Sequence, residues 1–154
     1  MNEFGDEYQK NVIANAKSFA RSLKAAGLDV AGDPAISYTE THQVIVKTGY
    51  GTGPEVAERL EENNVIVNYQ ATPEEEGFTA SGALRLGVSE MTRFGFGEKE
   101  FEQLANLIAD CVLRNKPIAS EVAKLRAGYT TLGYCFSDEA VNKALDTLAT
   151  TSGM

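Results

Sequence analysis

Phe101, Leu104, Ala105, Ile108, Cys111 and Val112 stand at offsets of three, four, seven, ten and eleven residues, the spacing that aligns one face of an α-helix. Such a stripe is stable only when something covers it, so the segment demands a second layer. A second stripe offers itself from Asp6 to Ala26, where Val12, Ile13, Ala16, Phe19, Ala20 and Leu23 share a face and Gly27 supplies the stop. Three β-rich runs, Gln43–Lys47, Val65–Tyr69 and Ala83–Gly87, predict strands. Shorter helices are predicted over about Pro54–Glu62, Ile118–Ala127 and Asp138–Ala149, the last capped by Ser137. Gly32-Asp33-Pro34 reads as a turn, Thr48–Gly53 as a flexible link, Pro73–Gly77 as an acidic loop, and Thr150–Met154 as a fraying end. The sum is one α+β domain over residues 1–154, with a small, mainly antiparallel sheet flanked by helices.

At 154 residues, with 43% hydrophobic and 23% charged, the chain is ordinary for one soluble core. A net charge of −8 with scattered Lys and Arg argues against a nucleic-acid partner, whose phosphates need clustered cations. No apolar run approaches a membrane span, and the polar start after Met1 is unlike a signal peptide, so no membrane partner and a cytoplasmic location are expected. The two cysteines, Cys111 and Cys135, make no redox or metal motif and are expected to be buried or structural. His42, the one histidine, is expected to pack or to hydrogen-bond rather than to bind a metal, and no metal site is predicted.

Arg85 is the residue the pattern singles out. In a strand, Leu84, Leu86 and Val88 point one way while Ala83, Arg85 and Gly87 point the other, so the guanidinium emerges between two very small neighbours. Its planar fork suits a carboxylate or a phosphate. On the residues alone, an arginine on the solvated face of an edge strand remains the alternative.

The stretch Thr79-Ala80-Ser81-Gly82-Ala83-Leu84-Arg85-Leu86-Gly87, followed by Met91-Thr92-Arg93-Phe94-Gly95-Phe96, resembles the serine (glycine) hydroxymethyltransferases. Tyr8-Gln9 with Asn15-Ala16-Lys17, Thr39-Glu40-Thr41-His42, and Val65-Ile66-Val67-Asn68-Tyr69-Gln70 before Pro73 are similar to that family's segments in the same order. The resemblance implies the small C-terminal domain of a fold-type I pyridoxal-phosphate enzyme, with the aspartate aminotransferase fold. It implies that Arg85 binds the substrate α-carboxylate, and that Asn68 and Gln70 contact folate or a second substrate. The implied cofactors are pyridoxal phosphate and tetrahydrofolate in the full enzyme, neither held by this chain alone. The implied partners are a missing N-terminal large domain, serine, glycine or a related amino acid, and further subunits in a homodimer or higher assembly. None of the lysines lies in the family's cofactor-binding context, so the chain alone is expected to be inactive and to contribute neither catalytic nor cofactor-binding residues. Gln70 stands at the position of the family's folate-contacting asparagine, and Phe94 where many relatives carry a second arginine beside Arg93. Gln70 keeps open a threonine aldolase or transaldolase, and the short chain keeps open a non-catalytic amino-acid-binding or regulatory module.

Overall fold

In the computed structural model, residues 3–72, 74 and 80–151 are described. Helix α1 spans Gly5–Ala25 and α4 spans Glu98–Arg114, and these two stripes cover each other. Phe19 and Phe101 meet with ring centroids 5.2 Å apart, and Phe96 lies 5.6 Å from Phe101. Phe19, Leu23, Phe101 and Ile108 are all but fully buried. Each contributes roughly 1.5–3 kcal/mol by leaving water. Gly27 closes α1 as expected, at φ +101°, a conformation that costs glycine nothing. The Leu28 amide then donates back to the Leu23 carbonyl at 3.1 Å.

The sheet is four-stranded in the order β1-β2-β4-β3, with β1 Asp29–Val30, β2 Gln43–Lys47, β3 Asn68–Gln70 and β4 Ala83–Gly87, every pairing antiparallel. Val44 pairs with Leu86 and Val46 with Leu84, and all four side chains are buried on the face that the helices cover. Helix α2, Gly53–Glu62, packs on β3, β4 and α4. A short helix α3, Ser89–Arg93, follows β4 directly; α5, Ala119–Ala127, packs on α4, and α6, Asp138–Thr151, follows.

The departures from expectation have local causes. The two-residue β1 and five-residue α3 are too short to show a period. Pro34–Ile36 forms a single 3₁₀ turn where a turn was predicted, with the Asp33 carboxylate accepting from the Ala35 amide. The Thr48–Gly53 link is pinned: both the amide and the hydroxyl of Thr48 donate to the Gly82 carbonyl, and the Gly53 amide donates to Ser81. Thr150 and Thr151 continue α6 rather than fraying, the Thr150 hydroxyl donating to the carbonyls of Asp146 and Thr147. Residues 152–154, and all of the acidic loop except Glu74, lie outside the described residues.

Strand β3 is the largest shift, since it begins at Asn68 rather than Val65. The Asn63 side chain accepts the Ile118 amide at 2.7 Å, and the Asn64 amide group donates to the Ala119 carbonyl at 3.4 Å. Those bonds draw residues 63–67 toward the start of α5, so Leu86 and Gly87 have no partner on that side.

Candidate functional site

Arg85 lies at the centre of the sheet face that the helices leave open. Across β4, Leu84, Leu86 and Val88 are buried while Arg85 and Gly87 are exposed. The register sets Ile45 and Asn68 directly opposite Arg85 on either side, and Lys47 and Gln70 opposite Ala83. Cross-strand partners point to the same face with Cβ atoms about 5 Å apart. The three residues singled out from sequence, Arg85, Asn68 and Gln70, therefore share one patch.

The clearance around Arg85 differs from expectation. Ala83 is fully buried, flanked by Lys47 and by half-buried Gln70, so that side is closed. Gly87 is open. Lys47 donates to the Glu74 carboxylate at 2.8 Å, and that hydrogen bond holds the Glu74 pKa down at about 2. Among the described residues no ion pair or side-chain hydrogen bond engages the Arg85 guanidinium. Its two parallel donors are free to meet a planar anion.

Beyond Gly87, where residues 65–67 part from β4, a cleft of about 750 Å³ opens between Ile66, Val67, Met91, Leu104 and Leu125. Behind the sheet, three side chains of α1 tie down the segments that follow β4. Tyr8 donates to the Ser89 carbonyl at 3.0 Å, and Asn11 to the Tyr134 hydroxyl at 2.6 Å. Asn15, 4% exposed, donates to the Thr92 hydroxyl at 3.0 Å and to the Phe96 carbonyl at 2.9 Å. The Thr92 hydroxyl in turn donates to the Val88 carbonyl at 2.8 Å. Periodicity offered one signal for this network, a polar Asn15 set among Val12, Ala16 and Phe19 on an apolar face.

The remaining sequence candidates fall elsewhere. His42 is exposed, and its carbonyl accepts the Val88 amide. The Arg126 guanidinium lies 4.1 Å from the Phe94 ring centroid. An arginine at position 94 would bring a second cation against Arg126, so the aromatic residue there has a local reason. Cys111 is buried, and burial pushes its thiol pKa up. Cys135, expected to be buried or structural, is exposed, with its thiol 3.5 Å from the Leu132 carbonyl. Among the described residues no cluster of three His, Cys, Asp or Glu could hold a metal, and no helix is long and apolar enough to cross a membrane.

The fold is that of a fold-type I pyridoxal-phosphate enzyme domain. It is similar to the crystal structure of L-threonine transaldolase from Pseudomonas fluorescens in its internal aldimine state, with a TM-score of 0.81 and 27% identity over 94% of this chain and 34% of that one. A sequence profile described as serine hydroxymethyltransferase matches residues 1–108. The chain is 38% identical to a serine hydroxymethyltransferase of Pyrobaculum arsenaticum over 97% of its own length, and 37% identical to one of Nitrosopumilus maritimus over 89%. It belongs to the serine hydroxymethyltransferase family. It spans about a third of the length of those relatives, 36% and 33% respectively.

The cofactor implied by the family does not fit the open face as a holder. Lys47, the lysine beside Arg85's row, is engaged by Glu74, and the row itself, Ile45–Arg85–Asn68, contains neither an amine nor a carboxylate. What the row presents is a planar cation with no ion pair among the described residues.

Proposed function

We propose that this chain is the substrate-side, C-terminal domain of a pyridoxal-phosphate-dependent enzyme acting on serine, glycine or a related β-hydroxy amino acid. Arg85 grips the α-carboxylate. A larger domain of the same polypeptide holds the cofactor, which stores the electrons released at the α-carbon. This chain's part is to orient the amino acid, so Arg85 sets geometry and moves no proton. Asn68 and Gln70, on the same patch, meet the second substrate. By itself the chain lacks the Schiff-base lysine and is inactive.

The observation that carries this reading is a guanidinium without an ion pair among the described residues, in the middle of an otherwise uncharged row. In the full-length enzyme, Arg85→Lys keeps the charge but loses the two-donor fork, so serine and glycine binding should weaken by about 1.5–3 kcal/mol. Arg85→Ala should lose more, and the absorbance of the bound cofactor should stay. Unchanged affinities in Arg85→Lys would remove the assignment.

A second reading, a transaldolase with an aldehyde as acceptor, is favoured by Gln70 and by the L-threonine transaldolase likeness. Tetrahydrofolate dependence separates the two. Equal turnover of β-hydroxy amino acids with and without folate selects the transaldolase.

A further inference from the structure

Exposed apolar surface gathers toward one end of the chain. Among the described residues, five of the ten exposed large hydrophobics, Leu132, Phe136, Val141, Leu145 and Leu148, fall within the one stretch from 132 to 148, so the exposure is concentrated rather than scattered. Val141, Leu145 and Leu148 share a face of α6 and are 44, 57 and 62% exposed, while Lys143 and Asp146 take the opposite side. Among the described residues, no other helix or strand packs along α6. An amphipathic helix of 14 residues is marginal by itself, and its stripe needs a second layer as those of α1 and α4 do. The family profile stops at residue 108, so α6 lies beyond the segment that it describes.

The foot of α6 has a fixed place. Phe136, just ahead of α6, meets Phe4, just ahead of α1, with ring centroids 5.4 Å apart, and the Asn11 side chain donates to the Tyr134 hydroxyl. The patch is therefore moored beside the point where the chain enters α1. This chain spans about a third of the length of the relatives it matches, and in the reading proposed above a larger domain joins it ahead of α1. Size selects between that domain and a second copy as the cover. A freestanding interface engages roughly 20–30 residues a side. The patch offers five large apolar side chains, each about half covered already. So small a contact suffices for an occupant tied to the same polypeptide, because the tether supplies a high effective concentration.

We infer that α6 is a docking helix, its Val141–Leu145 face covered by an apolar surface of the larger domain of the same polypeptide. The inference rests on the reading of this chain as the C-terminal domain of a longer enzyme. It adds a surface that joins the two domains beyond their covalent link.

The test uses the full-length enzyme in a Cys135→Ser background, with Leu145→Cys or Lys143→Cys added and the rate of thiol alkylation at each position read by peptide mass spectrometry. Position 145 should react about tenfold or more slowly than position 143, since it opens only when the domains part. Leu145→p-benzoylphenylalanine, irradiated, should capture a peptide of the larger domain and leave the product at the mass of one chain on a denaturing gel. Leu145→Asp should lower the thermal midpoint, whereas Lys143→Asp, a larger change of charge, should not. Equal alkylation rates overturn the inference, as does capture of a peptide from residues 3–127 of the same chain. A product of twice the chain mass marks a second copy as the cover and overturns it too. Cofactor absorbance in the same preparation keeps the two readings apart. Absorbance with an open position 145 removes the docking face alone, and no absorbance removes the longer-enzyme reading beneath it.

Discussion

The two faces of β4 answer to different demands although they alternate residue by residue. Leu84, Leu86 and Val88 are between 0 and 4% exposed and sit against helices, so folding alone accounts for their chemistry. Arg85 and Gly87 face outward, and folding accounts for neither: the arginine has no ion pair among the described residues, and the glycine has neither a positive φ nor a near neighbour. Stability fixes the buried face of the strand and leaves the residue types at Arg85 and Gly87 unconstrained.

Substitutions should separate the faces, the largest effect coming from the buried one. Leu84→Ala removes a fully buried side chain and should cost about 2–5 kcal/mol in urea unfolding of this chain. Arg85→Ala, one residue along, should stay within about 0.5 kcal/mol. A large loss in the second variant would erase the contrast. Asn15→Ala tests the polar part of the buried side. It strands the Phe96 carbonyl and half of the Thr92 hydroxyl's bonding, so about 1–3 kcal/mol should be lost in the same assay.

The smallest effect belongs to the rim of the open face. The Lys47 hydrogen bond holds Glu74 at about 2, against 4.5 for the free group. A depressed carboxylate stabilises the fold above the unfolded pKa, near 4.5, and loses that contribution as pH falls through about 2. Because the pair is exposed, the contribution is small and fades with salt. A side-chain NMR titration should find the Glu74 midpoint near 2, and Lys47→Gln should move it back toward 4.5. A Glu74 midpoint already at 4.5 in the unsubstituted chain would mean that Lys47 does not shield that corner.

Much of this was legible in the residues, and for identifiable reasons. Gln43–Lys47 and Ala83–Gly87 match β2 and β4 residue for residue, because β-branching is strong in the first and alternation in the second. The bounds of α1, α2, α5 and α6 fall within two residues of expectation. Strand β3 was misplaced because Val65-Ile66-Val67 has the composition of a strand, while two asparagine bonds reaching 55 residues along the chain decide its path. Alternation put Arg85 on the outward face, yet the closed side at Ala83 depends on Lys47 and Gln70, which only the register brings there.

The bonds that Tyr8, Asn11 and Asn15 make across 77 to 123 residues also set a schedule. At roughly 5–20 residues per second of synthesis, about 4 to 25 s separate the making of α1 from the making of its partners. Until then Asn15 lacks Thr92 and Phe96 as partners, and the apolar stripe around it has no α4 to cover it. The rate at which such a chain folds is governed by closing that distance rather than by winding any helix. Of the helices in this domain, α1 is made before the partners that complete its bonding.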